Sequence, residues 1–181
     1  MLRKLDRIRG NVRVEFLCGM RAVRRARADY AALAQIARVF SAPLDETPGL
    51  VAAQIERIQD SEKARRRLSG ELAEAKGREL HAQTVPDING LRKITRRVQA
   101  ISEDLRIEAQ SFTAGEKAVM LMLAEEPPTV LLAASKDSGW KAGEWLKPLL
   151  AEVGGRGGGS GTMAQGSLPS LDALEKIAQK F

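Results

Sequence analysis

The residues with the clearest chemical potential are the seven glycines of the fourteen-residue stretch Gly154 to Ser167, GGRGGGSGTMAQGS. Glycine takes positive φ without a Cβ penalty, and successive N–H groups left uncovered by side chains form concave nests that bind anions, phosphates above all. On this reading Gly154, Gly155, Arg156, Gly157, Gly158, Gly159, Ser160, Gln165 and Gly166 are the candidate nucleic-acid-binding residues. The amides hold phosphates and Arg156 adds charge. A flexible Gly/Ser spacer is the alternative, but a spacer has no need of Met163-Ala164-Gln165.

Other chemistry is thin. His81 is the one histidine and Cys18 the one cysteine, whereas zinc needs three or four ligands and a Ser/His/Asp or Cys/His relay needs partners for its histidine. No catalytic residue, metal ligand or cofactor is therefore expected in this chain. Cys18 reads as a small residue packed at a strand end, and His81, near the end of a charged helix, reads as a surface residue. A lone cysteine cannot form an internal disulfide, which fits a reducing cytoplasm.

Charge gives the second clue. The chain has 181 residues and a formal charge of +6, and residues 1–40 carry ten Lys/Arg against three Asp/Glu. From residue 85 onward the count is twelve against twelve, so the excess sits at the start, where it would attract a polyanion in a salt-dependent way. Arg92 and Lys93, with Arg96 and Arg97, could extend such a track. A composition of 44% hydrophobic and 29% charged residues is that of an ordinary globular protein. The longest apolar run, Ala118 to Ala124, is far short of the ~20 residues of a membrane helix.

The elements that must position these residues follow from hydrophobic period. Val12, Val14 and Phe16 alternate with polar residues up to Gly19, which predicts a strand. One strand cannot bury its face unaided, so this piece reads as the remnant of a larger sheet. From Met20 the period becomes helical through Ala22, Val23, Ala26, Tyr30, Leu33, Ile36, Ala37 and Phe40. Thr47 and Pro48 then predict the N-cap and first turn of a helix running to about Gln83. Its Val51, Ile55, Ile58, Leu68, Leu72 and Ala75 form a coiled-coil-like seam that an antiparallel hairpin or a homodimer would cover, with Gly70 and Gly77 as costs of ~1 kcal/mol each.

A composition break at Thr84 to Gly90 places the domain boundary. Beyond it the pattern predicts a strand at 91–98, a helix at 103–114, two neighbouring strands at 117–124 and 129–134, a helix through Trp145 ended by Gly154, and a last helix capped by Ser170. The expected architecture is α+β or α/β: a remnant strand at 1–19, a helical linker or hairpin at 20–84, and a small α/β domain at 85–181 whose glycine loop joins two packed helices.

Here the residues resemble a known family. GGRGGGSGTMAQGS is similar to the signature of the DHH-associated domain that closes alanyl-tRNA synthetases and the longer alanyl-tRNA editing proteins, and GNVRVEFLCGMRA, Gly10 to Ala22, resembles the last strand and exit of their editing domain. The resemblance implies a tRNA-binding and assembly module, with alanine tRNA as partner and a homodimer as a possible state. It also implies that zinc and the deacylation of mischarged alanyl-tRNA belong to an editing domain, after which this chain looks cut, so that the chain alone is not catalytic and its parent is a cytoplasmic zinc-dependent hydrolase. Two other readings stay open: the nucleotide-binding accessory domain of a DHH-type phosphoesterase, whose related loop usually carries a histidine where this chain has Ser160 and Gly161, and a purely structural dimerisation module.

Overall fold

The computed structural model describes all residues, Met1–Phe181. The chain divides into two compact units, Met1–Lys63 and Ala64–Phe181.

In the first unit, β1 (Leu2–Ile8) and β2 (Asn11–Phe16) pair antiparallel as an isolated two-stranded sheet. The turn is two residues, Arg9 at φ 48° and Gly10 at φ 86°, and positive φ at both positions is what a tight hairpin turn compatible with strand twist demands. The lone strand expected here thus has a partner in the preceding residues. Leu5 faces Val14 and Arg7 faces Val12 across the ladder, so Leu5, Val12, Val14 and Phe16 share a face and remain exposed. Cys18, expected to be packed, is exposed as well.

Helix α1 (Met20–Phe40) ends at Ser41 in the left-handed region, whose N–H donates to Arg38. Ala37 and Thr47 are buried at the corner that follows. Helix α2 (Thr47–Gln83) begins with Thr47 as its first residue, and the Thr47 hydroxyl donates back to the Pro43 carbonyl rather than capping the turn ahead of it. Val23, Tyr30 and Ile36 of α1, and Ile55 and Ile58 of α2, stay exposed.

The second unit is a five-stranded mixed sheet in the order β3-β4-β5-β7-β6, made of β3 (Arg92–Val98), β4 (Ala118–Glu125), β5 (Pro128–Ala134), β6 (Arg156–Gly159) and β7 (Met163–Ser167). Only β3 and β4 run parallel. Helix α3 (Glu103–Thr113) covers one face together with the end of α2, while α4 (Ala142–Glu152) and α5 (Leu171–Lys180) cover the other. Residues 118–124 of β4 are buried without exception, which explains an apolar run with no alternation: a central strand covered on both faces has no solvent side. Val119, Leu121 and Leu123 pack with Leu146, Leu150, Leu174 and Ile177. Met120 and Met122 pack with Phe112, Ala109 and Leu80 on the other side. Ser170 caps α5 by accepting from the Ala173 N–H at 3.3 Å, as its place before the helix predicts.

The face of α2 that packs on α3 is not the seam of large apolar residues. Leu68 and Leu72 are more than half exposed, and the contact is made by Gly70, Ala73, Gly77 and Leu80, small residues at helical spacing. A Cβ on Gly77 would lie 2.6 Å from the Ser111 Cβ and 2.9 Å from the Phe112 nitrogen. Gly77 is the point of closest approach of two helices, and its missing side chain is what permits it. His81, read as a surface residue, is half-buried one turn further on: its Nε2 meets the Glu116 carbonyl oxygen at 3.1 Å, its ring stands edge-on to Phe112, and it leaves no room for a Cβ on Gly115.

A glycine hairpin at the sheet edge and an adjoining cleft

The glycine-rich stretch is a β-hairpin and not the nest its composition predicts. Within it only Gly154, at φ 73°, lies in the left-handed region, and its role is to end α4: the Gly154 N–H donates to Ala151 and the Gly155 N–H to Leu150. The next residues form β6, the edge strand, and after a turn at Ser160–Thr162 the chain returns as β7 between β6 and β5. Gly166 is buried against Leu150, whose side chain a Cβ would strike. Gly154, Gly155 and Gly166 therefore serve the fold.

The rest of the hairpin faces solvent. The turn closes with the Ser160 N–H donating to the Met163 carbonyl at 2.8 Å, and residues of an antiparallel pair alternate between bonding their partner strand and pointing away from it. Counting back from Ser160, Gly158 and Arg156 bond to β7 opposite Gln165 and Ser167, and the N–H groups of Gly157 and Gly159 turn outward. A Cβ on Gly159 would sit 2.8 Å from the Ala164 Cβ, and one on Gly157 would collide with Gln165 and Gly166. These two glycines are needed because β6 lies so tightly on β7. Gly158 differs: a Cβ there meets nothing within 4 Å and its φ is ordinary. Arg156 is exposed and has no carboxylate partner. The turn is fixed from below by the start of α4, where the Ala142 and Gly143 N–H groups donate to the Gly161 and Ser160 carbonyls at 2.8 and 2.9 Å.

Arg92 and Lys93 do not join this site. They lie on β3 at the opposite edge of the sheet, four strand spacings or about 19 Å from β6. Lys93 is also engaged: its Nζ donates to the backbone carbonyl of Phe181 and stands 5.2 Å from the Trp140 ring centroid and 4.2 Å from that of Phe181. Arg96 is paired with the buried Glu108 and Arg97 with Glu175 at 2.5 Å. Most of this expected cationic track is thus tied up in the fold.

Beside the hairpin turn lies a cleft of about 520 Å³, lined by Gln110, Thr113, Ser135, Asp137, Thr162 and Met163 among others. The Asp137 carboxylate accepts from the Ser135 hydroxyl at 2.6 Å and from the Lys117 backbone N–H at 3.1 Å. The Ser135 hydroxyl first, and that N–H second, hold its pKa below the usual carboxylate value. Lys117 sits at φ 47°, a strained position for a side-chain-bearing residue. The composition of the chain hid this cluster, because Ser135-Lys136-Asp137 after a strand looks like any polar turn. No three His, Cys, Asp or Glu side chains converge as metal ligands, and no helix is long and apolar enough to cross a membrane.

The hairpin, its flanking helices and most of the sheet fall within residues 98–181, which match the DHHA1 domain family. Among curated proteins, the alanine–tRNA ligase of Saccharopolyspora erythraea is 32% identical over 170 residues, taking in 85% of this chain and 18% of its own length. That of Methanobrevibacter smithii is 27% identical across 97% of this chain and 20% of its own. The chain spans about a fifth of the length of these relatives. Among solved structures, the C-Ala domain of Aquifex aeolicus alanyl-tRNA synthetase aligns with 54% of this chain and 94% of its own at a TM-score of 0.41 and 20% identity. The stretch that matches this family thus carries its glycines on an edge strand and a helix terminus, with a polar cleft alongside.

Proposed function

We propose that this chain is a tRNA-binding and assembly module of an alanyl-tRNA synthetase-like or alanyl-tRNA editing protein. In it the free edge of β6 grips the RNA backbone. The observation that carries this reading is the pair of outward amides on Gly157 and Gly159, flanking a Gly158 that the fold does not require to be glycine. Backbone N–H groups are good phosphate donors, and a strand without side chains lets a ribose-phosphate backbone come within hydrogen-bonding distance. Arg156 adds a cation at one end. The arginines of α1, of which Arg21, Arg24 and Arg27 have no carboxylate partner, supply a second basic surface. Similarity to alanine–tRNA ligases over most of the chain supports alanine tRNA as the RNA. Deacylation and its zinc are assigned to another domain, since this chain has one histidine and one cysteine where a zinc site needs three or four protein ligands. The exposed Ile55, Ile58, Leu68 and Leu72 of α2 support a homodimer.

The test is Gly158→Val. The open space around Gly158 and its ordinary φ mean that Val fits, contrary to the strain that a glycine nest would have imposed, and a β-branched residue suits a strand. Fluorescence anisotropy with alanine tRNA is expected to show at least a tenfold loss of affinity, ~1.4 kcal/mol, with an unchanged melting temperature. Lys180→Ala, which removes only an exposed bridge to Glu152, is the control. Wild-type binding should weaken steeply between low and physiological salt. Unchanged affinity in folded Gly158→Val would remove the hairpin edge from the RNA site and leave residues 1–40 as the candidate.

A further inference from the structure

The cleft beside the hairpin is chemically unlike the hairpin edge. Its walls carry acceptors: the Asp137 carboxylate, held in its charged form by the Ser135 hydroxyl and the Lys117 N–H, and the carbonyl end of α3, which reaches the cleft at Ala114 and Gly115 and bears the negative end of the helix dipole. Of the four or so lone-pair positions on a carboxylate, Ser135 and the shared Lys117 N–H occupy those on Oδ1, and Oδ2 retains one. Gln110 lines the same cleft with its side-chain oxygen unpaired, its amide nitrogen touching only the Met163 sulfur at 4.0 Å. Met163 and Ala134 give the cleft apolar wall. Lys136 lines the cleft as well, but the free carboxylate oxygen beside apolar wall suits a flat group that is apolar on its faces and bears N–H donors on its edge. At about 520 Å³ it has room for one nucleotide unit. Thr162, in the turn of the glycine hairpin, and Met163, the first residue of β7, line the cleft, so a base entering here would have its own phosphate at the hairpin.

We propose that this cleft receives an unstacked nucleobase carrying an exocyclic amino group, with Asp137 accepting from that amino group and the hairpin edge holding the adjoining phosphate. Unpaired bases splayed out of loops are the usual targets of sequence-selective RNA readers, and hydrogen bonds to the base edge together with apolar contact to its faces are how an extruded base is read. Guanine, adenine and cytosine qualify. Uracil presents two carbonyls and a single N–H, and its carbonyls would face the Asp137 carboxylate.

This inference rests on the RNA-binding reading above, and its test separates the two. The full 181-residue chain is titrated with CMP, AMP, GMP and UMP, and with ribose 5-phosphate, while amide NMR signals are followed. The first three should shift the Gly115, Ser135, Asp137 and Thr162 signals, with UMP at least tenfold weaker and ribose 5-phosphate affecting only the hairpin. Asp137→Asn should abolish the preference over UMP. Because Asp137 also holds the Lys117 backbone, Gln110→Ala, at a side chain without a packing role, is the second variant, and it should weaken all three amino-bearing nucleotides. Equal binding of UMP, or cleft shifts with ribose 5-phosphate, would overturn the base pocket and leave tRNA binding standing. Absence of any tRNA binding by anisotropy would instead sink the proposed function itself.

Discussion

Two glycines of one helix should respond to the same substitution with opposite signs. Replacing glycine by alanine inside a helix ordinarily stabilises by ~1 kcal/mol, because alanine loses less backbone entropy on folding. At Gly70 nothing opposes that gain, since a Cβ would first meet the Ile107 Cδ1 at 3.7 Å, an ordinary contact. At Gly77 the Cβ would stand 2.6 Å from the Ser111 Cβ and 2.9 Å from the Phe112 nitrogen. Carbon atoms rest at ~3.5–4.0 Å, so α2 and α3 would have to part by about 1 Å. That movement stretches the Ser111 hydroxyl bond to the Glu74 carbonyl, now 2.7 Å, and unseats Phe112, which is fully buried. Overpacking of this kind costs ~1–3 kcal/mol, enough to cancel the propensity gain and reverse it. With roughly 3–6 °C per kcal/mol for a unit of this size, Gly70→Ala should melt a few degrees above the wild type and Gly77→Ala a few degrees below, followed by circular dichroism at 222 nm. Amide exchange in α3 should quicken only in Gly77→Ala. A Gly77→Ala protein as stable as the wild type would refute the close approach of the two helices.

Three further outcomes follow from the same geometry. Arg96→Ala strands the buried Glu108 carboxylate, and since the arginine is about a third exposed the loss should be ~1–3 kcal/mol, below that of a fully buried pair, as read by urea unfolding; a Glu108→Gln background should erase most of it. Ser135→Ala removes the first cause of the depressed Asp137 pKa, so that pKa should rise toward its ordinary value when the carboxyl carbon is titrated by NMR. A carboxylate with a folded pKa below its unfolded value stabilises above the unfolded value and loses that contribution as pH falls through the folded one, so Ser135→Ala should be less stable than the wild type at pH 7, and the difference should shrink as pH falls through the acid limb. Sedimentation equilibrium at micromolar concentration should give about twice the 19.7 kDa chain mass if the exposed apolar residues of α2 pair between chains, and a clean monomer would count against that seam.

What could be read from the residues was whatever left a period or a cap. The runs at 118–124 and 129–134 announced two strands because burial on both faces demands unbroken apolar sequence, and Ser170 announced α5 because a hydroxyl at that position satisfies an orphan amide. Strand β1 was illegible: Leu2, Leu5 and Ile8 are spaced by three, and the irregularity between Leu2 and Lys4 breaks the alternation a strand should have. The glycine hairpin looked like a loop because glycine has no side chain to mark a face; its strand character comes from β7, which no local pattern could reveal. The packing face of α2 was missed for the same reason, since Gly70, Ala73 and Gly77 mark a close contact by what they lack. The separation of Arg92 and Lys93 from the hairpin is a matter of strand order alone, and four spacings of a sheet leave no trace in a sequence.

The order of the strands also sets a timetable for the chain. Strands β4 and β5 are joined by a turn of two residues, so their pairing closes almost no loop, whereas β3 reaches β4 only across α3 and β7 reaches β5 only across α4. Loop closure grows costlier with the length of chain enclosed, and contacts distant in sequence form late. The β4–β5 hairpin is therefore the expected seed, and the β6–β7 hairpin, which docks on β5 only across α4 and puts β6 at the outer edge, the expected last arrival. Pulsed amide exchange during refolding should protect Leu121 and Leu132 before Gly158, and the reverse order would contradict this account. A strand that is last to join is also the first to leave. The RNA-facing edge thus sits on the part of the sheet that opens most cheaply, where an RNA that holds β6 in place would report its binding as slowed exchange across β7.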